Sequence, residues 1–220
     1  MSSELEVQQH ALPVRLSHWL MAFAMIIMIG SGWRIYDSVP IFPFTFPYAI
    51  TIGGDVGIAL ARNNDPGVAG AIAWHFAGMW LLLISYLVFV GWGLVTGHFR
   101  RDFFPVGPRS FIADFIAAAT FKLAHKLGEY NAVQKVAYLV ALSAVALMLI
   151  SGIAIWKPVQ TYPLEVLFGG FQGARLVHFL GMSVIVGFMV IHVSLVVLVP
   201  KTLVAMILGR ATAKPHAEKV

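Results

Sequence analysis

Four long apolar segments alternate with polar or charged stretches along this chain of 220 residues. Asp, Glu, Lys and Arg are absent from residues 16–33, 70–99, 136–156 and 176–200. A bilayer core about 30 Å thick is crossed by roughly 20 apolar residues in one helix. Charge-free runs are informative because one Arg or Asp at a helix centre costs about 2.5–3.5 kcal/mol on insertion. The pattern predicts four transmembrane helices, over about residues 16–36, 69–99, 131–156 and 174–200.

The connections between these segments differ in character. Residues 38–54 are also uncharged, but Pro40, Pro43 and Pro47 exclude a continuous helix there. We expect this long, aromatic loop to pack as an outward-facing platform. In residues 108–130, apolar positions recur at helical spacing and lysines follow, which predicts an amphipathic helix on the membrane surface. No internal sequence repeat stands out.

The distribution of basic residues predicts the orientation. Eleven lie in the amino terminus, the second loop and the carboxyl tail: Arg15, Arg100, Arg101, Arg109, Lys122, Lys126, Lys135, Lys201, Arg210, Lys214 and Lys219. Four lie in the first and third loops: Arg34, Arg62, Lys157 and Arg175. Because basic loops stay in the cytoplasm, both termini are predicted to be cytoplasmic. The predicted fold is an all-α membrane protein: a single domain, residues 1–220, forming a four-transmembrane-helix bundle with a cytoplasmic interfacial amphipathic helix and a long periplasmic first loop.

Composition supports a membrane protein and limits its chemistry. The chain is 59% apolar and 11% charged, whereas a soluble domain carries about 25% charged residues. It contains no cysteine, which excludes a covalently attached c-type haem, a cysteine-ligated iron–sulfur cluster and any disulfide. The eight histidines are therefore the main metal ligands available. The net charge of +5 is typical of juxtamembrane Lys and Arg and does not indicate nucleic acid.

Four histidines fall inside the apolar segments at matched depths. His178 and His192 are fourteen residues apart on the last segment, so their side chains leave one helix face about 21 Å apart along the axis. Depth pairs His75 with His178, and His18 with His192. Two stacked histidine pairs in a four-helix bundle predict two bis-histidine b haems. A single intramembrane histidine can instead be hydrogen-bonded to a neighbouring helix.

Two further groups of residues are candidates for cofactor or quinone contacts. Arg15 and Arg175 each precede a paired histidine by three residues, where a haem propionate needs a cation. They can equally be ordinary interfacial anchors. The stretch YNAVQK begins at residue 130, and its polar side chains could bind a quinone head group. Spacing alone favours Asn131 as a helix N-cap.

These residues resemble a known family. RLSHW at 15–19, AWHFAGMW at 73–80, YNAVQK at 130–135 and the spaced His178/His192 pair are similar to the bacterial cytochrome b561 and nickel–iron hydrogenase b-type cytochrome group, which includes the gamma subunit of formate dehydrogenase. The resemblance implies that His18, His75, His178 and His192 ligate two haems b. It also makes Asn131, with Gln134 and Lys135, a candidate quinone site.

The resemblance further implies a place in the cell and a set of partners. Such cytochromes are multi-pass proteins of the bacterial inner membrane, in contact with membrane lipid, quinone and a periplasmic oxidoreductase subunit. The first loop is more similar to that of cytochromes paired with thiosulfate reductase or sulfite-oxidase-like molybdopterin proteins. A molybdopterin-type partner is therefore expected.

The resulting hypothesis is a dihaem cytochrome that transfers electrons between a periplasmic oxidoreductase and the quinone pool, in a direction left open. Six-coordinate irons leave no open site, so no catalytic residue is assigned. One alternative is a stand-alone, quinone-linked superoxide oxidase, which the few basic residues of the periplasmic loops disfavour. The other is a haem-free, histidine-lined metal or proton transporter, which the lack of intramembrane Asp or Glu disfavours.

Overall fold

The computed structural model describes residues 5–8, 10–54, 67–120 and 130–213, and most of them are helical. In chain order the elements are β1 Leu5–Gln8, α1 Leu12–Ser38, a 3₁₀ turn Tyr48–Ile50, α2 Ala69–Val95, a π-helical turn Phe99–Phe103, α3 Pro108–Ala119, α4 Ala132–Trp156, α5 Tyr162–Leu167, α6 Gly170–Leu198, α7 Pro200–Leu208 and β2 Arg210–Ala213. The helices α1, α2, α4 and α6 are 25 to 29 residues long and apolar enough to cross a membrane. The prediction of four transmembrane helices is confirmed.

The helix ends differ from the predicted ones for local reasons. Helix α1 begins four residues early because Pro13 stands in its first turn, where a missing N–H costs nothing. Helix α2 stops at Val95, and Gly97 then adopts a φ of +67°, which turns the chain out of the helix. Helix α6 follows Gly169, at φ +83°, and ends before Pro200, which starts α7.

The four long helices form two hairpins. Helix α1 packs closely along α2, and α4 packs closely along α6, whereas helices of different hairpins approach each other less closely in the described parts of the chain. A central apolar layer joins the hairpins, and its buried members are Ala24, Leu82, Ala144, Val145 and Ile185. The Tyr86 hydroxyl also donates across to the Leu142 carbonyl oxygen, at 3.0 Å.

The described part of the first loop packs back onto the bundle. The Phe42 and Phe44 rings lie 5.4 and 6.2 Å from the ring of Phe179 on α6. The Phe46 ring stacks on Trp33 of α1, with centroids 4.7 Å apart. These contacts hold residues 39–54 against one end of the bundle. That this end faces the periplasm stays a prediction, and residues 55–66 lie outside the described part.

At the opposite end, part of the segment predicted to be an amphipathic helix is helical, as α3, and its amphipathic character stays a prediction. Its Ile112, Phe115 and Ile116 side chains are exposed, and the Asp114 carboxylate accepts a hydrogen bond of 2.8 Å from the Ala132 N–H at the start of α4. Its position on a membrane surface stays a prediction. Residues 121–129 are not described.

The two chain ends meet in a small feature that the sequence did not predict. Strands β1 and β2 pair antiparallel, with Leu5 opposite Ala213 and Gln8 opposite Arg210. An even number of long helices between them is consistent with this meeting at one end of the bundle.

Candidate functional site

Two of the predicted histidines form a serine-bonded pair, named for its hydrogen bonds. His75 comes from α2 and His178 from α6, and their ring centroids are 6.3 Å apart. The Ser31 hydroxyl oxygen lies 3.0 Å from Nδ1 of His75, and the Ser151 oxygen lies 3.0 Å from Nδ1 of His178. Each ring is thus held through Nδ1 by the first helix of its own hairpin.

The serines determine which nitrogen carries the proton. Ser31 donates to the Ile27 carbonyl oxygen at 2.6 Å, and Ser151 donates to that of Leu147 at 2.7 Å. Because each hydroxyl proton is engaged with a carbonyl, the serine oxygen accepts a hydrogen bond from the ring Nδ1–H. The lone pair of Nε2 then remains for a metal ion.

The matched serines belong to short stretches of the two hairpins that correspond to each other, a repeat that did not stand out from the sequence alone. MIGSG at 28–32 on α1 corresponds to MLISG at 148–152 on α4, and GAIAWHFAGM at 70–79 on α2 corresponds to GARLVHFLGM at 173–182 on α6. The first pair of stretches shares a Met and a Ser–Gly step, and the second pair shares a His–Phe step and a Gly–Met step. Each hairpin therefore presents a serine on its first helix and a histidine on its second at corresponding positions of the repeat.

The repeated glycines make room for the rings. A Cβ atom at Gly32 would lie 3.4 Å from Cε1 of His75, and one at Gly152 would lie 3.3 Å from Cε1 of His178. Such distances are tighter than ordinary carbon–carbon contact, so a side chain would push against the imidazole. Glycine at both places lets each ring lie directly against its helix.

His18 on α1 and His192 on α6 form the second pair. Their ring centroids are 6.2 Å apart, nearly the same as in the serine-bonded pair. Their neighbours are aromatic instead of hydroxylic: Phe188 stacks on His192 at 5.4 Å, and Trp19 meets His18 edge-on at 5.3 Å. Nδ1 of His18 is buried and has no hydrogen-bond partner in the described part of the chain.

The sequence matches the model of a known protein family. The model of the prokaryotic cytochrome b561 family matches residues 9–209. The chain belongs to this family. It is a membrane b-type cytochrome that transfers electrons, and the family's cofactor is haem b.

Two curated relatives extend the comparison. A putative protein-methionine-sulfoxide reductase subunit YedZ1 of Azospira oryzae is 44% identical over 197 residues, which cover 89% of this chain and 93% of the relative. A probable Ni/Fe-hydrogenase B-type cytochrome subunit of Bradyrhizobium diazoefficiens is 29% identical over 102 residues, covering 45% of this chain and 34% of that protein.

The residues present fit haem b. Two imidazoles on opposite sides of one metal ion, with bonds of about 2 Å and ring centroids about 1.1 Å behind each nitrogen, have centroids roughly 6 Å apart. The observed 6.2 and 6.3 Å agree with that arrangement at both pairs. The wider spacing between the hairpins also suits a flat macrocycle. Trp33 follows directly after Gly32. Its Nε1–H is a buried donor that has no hydrogen-bond partner among the described residues.

The two arginines predicted to meet haem propionates have protein partners. In this cytochrome the Arg15 guanidinium donates to the carbonyl oxygens of Met206, at 3.3 Å, and Ile207, near the end of α7. Arg175 donates to the Gln172 side-chain oxygen, at 2.8 Å, and to the Val39 carbonyl oxygen. Since a guanidinium carries five N–H donors, these contacts leave room for a propionate, and that role stays a prediction.

Asn131 forms the predicted N-cap of α4. Its side-chain oxygen accepts the Gln134 N–H at 2.8 Å, and the Gln134 side chain accepts the Asn131 N–H at 3.2 Å, which completes a capping box. The backbone N–H of Lys135 bonds to the Asn131 carbonyl oxygen. The cap inferred from spacing is confirmed, and a quinone role for these three residues stays a prediction.

Sequence reasoning missed Ser31 and Ser151, which hold the rings. Buried serines that bond their own helix are common and carry no distinctive signal. The repeated Ser–Gly step at 31–32 and 151–152, taken with the repeated His–Phe, would have found them.

A polar cluster lies between the start of α4 and the π-helical turn. Nδ1 of His98 lies 2.5 Å from the Asp102 carboxylate, and the His98 and Tyr130 rings are 6.5 Å apart. Burial, with smaller effects of Tyr138 and Asp102, raises the pKa of Tyr130 to about 12. Tyr130 is therefore a neutral donor at physiological pH.

Proposed function

We propose that this cytochrome holds two haems b, one within each histidine pair, and carries electrons from quinol in the bacterial inner membrane to a periplasmic oxidoreductase. The observation that carries the proposal is the facing of two ring pairs at 6.2 and 6.3 Å. Helix α6 supplies one ring to each pair, about 21 Å apart along its axis. With this spacing, one redox site would lie towards each membrane surface.

The side chains favour electron transfer over chemistry at the metal. Haem b supplies one-electron oxidation and reduction. An iron held by both rings of a pair would keep no coordination position for a substrate or oxygen. The buried layer around Ala24, Leu82 and Ile185 consists of apolar side chains, which offer no ligand to a substrate or an ion. Among the described residues, no three His, Cys, Asp or Glu side chains come together as an ion-transport site would require.

The partner is a reductase that receives electrons. The relative that aligns with most of this chain is named as a subunit of a protein-methionine-sulfoxide reductase. Reduction of a sulfoxide consumes two electrons and two protons and releases water, so that partner would draw electrons outward through the cytochrome. A molybdopterin group in the partner, as the resemblance of the first loop implies, belongs to this proposal.

The first loop is the proposed docking surface for the partner. Phe42 and Phe44 contact Phe179, the residue that follows His178, and both phenylalanines keep an exposed face. Val39 beside them is also exposed. A partner seated on these residues would lie next to the serine-bonded pair.

Quinol is proposed to react at the other end, near the second pair. A run of ring contacts leads there from the start of α4: Tyr130 to Tyr138 at 5.5 Å, Tyr138 to Phe188 at 6.3 Å and Phe188 to His192 at 5.4 Å. Asn131 and Gln134 keep their amide NH₂ groups as donors for a quinone oxygen. By the basic-residue distribution, this end faces the cytoplasm.

Haem analysis of the purified protein tests the proposal. Protein from haem-replete cells is expected to show low-spin b-type bands in a reduced-minus-oxidised spectrum and two haems per chain in a pyridine haemochrome assay. Menaquinol or ubiquinol analogues should reduce both. A preparation with no haem, or with one, would contradict it.

A further inference from the structure

Four buried serines in the long helices make the same backbone hydrogen bond. Their hydroxyls donate to the carbonyl oxygen four residues earlier, at 2.6 to 2.7 Å: Ser17, Ser31, Ser85 and Ser151. All four are at most 3% exposed. Within the described residues, only Ser31 and Ser151 also contact a histidine, and these two occupy matching places in the repeat. A backbone role shared by four serines does not explain the histidine contacts of two.

The contact orients both rings in the same way. At Nδ1 each ring faces a serine oxygen at 3.0 Å. The same serine hydroxyls lie 3.4 and 3.3 Å from the carbonyl oxygens of Met28 and Met148, so the hydroxyl protons have further acceptors on their own helices. Since the serine oxygens are therefore acceptors for the rings, Nδ1 of each ring is the protonated nitrogen and Nε2 points away from the serine.

A hydrogen bond donated by Nδ1–H has an electronic effect on a metal-bound imidazole. It moves electron density towards Nε2 and makes the ring a more basic ligand. A more basic ligand stabilises the more positively charged, ferric iron, and this lowers the reduction potential. The effect acts twice in the serine-bonded pair, because both of its rings are held alike.

We propose that Ser31 and Ser151 are positioning residues that lower the reduction potential of the haem bound by His75 and His178. The inference rests on the proposed dihaem function. The second pair provides an internal reference, because Nδ1 of His18 has no such partner among the described residues. The serines would thus make the two haems electronically different although their ring separations are nearly equal.

The test is a spectroscopic redox titration of Ser31→Ala, Ser151→Ala and the double variant. Each single substitution is expected to raise the midpoint potential of one haem, with a larger rise in the double variant and no change in the other haem. Ser85→Ala is the matched control, since Ser85 makes the same backbone bond at 2.6 Å from a position 3% exposed. It should leave both potentials unchanged.

The outcomes separate this inference from the proposed function. Wild-type protein without two haems would defeat the proposed function. Two haems in the wild type, with serine variants whose potentials match those of the wild type or of Ser85→Ala, would overturn the inference and leave the proposed function standing. Loss of haem from both single serine variants, but not from Ser85→Ala, would also overturn it, because the serines would then serve assembly only.

Discussion

The two histidine pairs reach nearly the same ring separation by different means. The serine-bonded pair takes one ring from the second helix of each hairpin, and the repeat makes its two halves alike. The second pair takes His18 from the first helix of one hairpin and His192 from the second helix of the other. At the matching positions of the repeat, α4 has Tyr138 and α2 has Phe89. The serine-bonded pair thus uses corresponding positions of the two hairpins, whereas the second pair uses positions that do not correspond.

This difference has a physical consequence for how firmly each ring is oriented. A ring held at Nδ1 by a hydrogen bond has one preferred rotation about its Cβ–Cγ bond. A ring held by stacking, as Phe188 holds His192, keeps its plane, but stacking does not distinguish the two ring positions related by a half-turn about that bond. The serine-bonded pair is therefore the more rigidly preorganised of the two sites.

Among the tests of the difference between the two pairs, substitution of one histidine on α6 is expected to have the largest effect. His178→Ala should remove the haem of the serine-bonded pair and spare the other, and His192→Ala should do the reverse. In both variants the haem content should fall to about half, because the haem proposed for the altered pair would lose one of the two histidines that would hold it. Pyridine haemochrome assays measure the content, and the remaining spectrum identifies which haem is kept.

His98→Ala is the control for these variants. Its ring lies against Asp102 and outside both pairs, so both haems should remain. Loss of both haems from either α6 variant would show that the sites do not assemble independently, and the depth pairing would then be wrong.

Changes at Asn131 test the end of the molecule near the second pair and have a smaller expected effect. Asn131→Ala removes the cap, at a cost of about 1 kcal/mol, and also the amide donor. Asn131→Ser keeps a capping oxygen without the amide. If the amide binds quinone, both variants should slow reduction by quinol several-fold while both haems remain, as stopped-flow absorbance would report.

The variant Asn131→Ser separates the capping role of Asn131 from its proposed quinone-binding role. Slow quinol reaction in Asn131→Ala together with wild-type rates in Asn131→Ser would assign the residue to the cap alone. In either case the haem proposed for the serine-bonded pair should keep its spectrum, because that pair lies at the other end of the bundle.

Titration of His10 is expected to give the smallest effect. Burial lowers the pKa of His10 from its ordinary value of 6.5, and His98 and Arg15 lower it further. Below about pH 6.5 the unfolded chain therefore takes up a proton before the folded chain does, so stability falls as the pH falls. Above that pH both states are neutral and the full stability is present.

Thermal unfolding in detergent between pH 7.5 and 5.5 measures this dependence. The midpoint temperature should decrease slightly towards the acid side, and His10→Gln should flatten the slope. The backbone N–H of His10 bonds to the Gly209 carbonyl oxygen, so the variant keeps that contact between the chain ends. An unchanged slope in His10→Gln would assign the pH dependence to another group.

The features that could be predicted from the sequence depend on long-range periodicity. The four spans follow from charge-free length, and the facing of His18 with His192 and of His75 with His178 follows from helical rise and alternating direction. The capping box at Asn131 was predictable because its signal is local.

The features that escaped prediction depend on contacts between distant residues. Arg15 binds the carbonyl oxygens near the end of α7, almost the whole chain away, and nothing near either segment marks that contact. The pairing of strand β1 with β2 likewise joins residues that lie far apart in the sequence. Ser31 was missed because its local surroundings are those of any helical serine, and the helix ends shifted where Gly97 and Gly169 adopt positive φ.

Helix α6 gives one ligand candidate to each pair, with an uninterrupted run of hydrogen-bonded turns between them. The separation of the two sites is therefore set by the number of peptide units from His178 to His192, and bending of the loops cannot lengthen or shorten it. If each pair holds a haem, as proposed, the fixed span would keep electron transfer between the two haems constant while neighbouring side chains change, because tunnelling rates fall steeply with distance. Under the proposed function, mutations around either pair would alter the driving force of transfer between the haems without altering its distance.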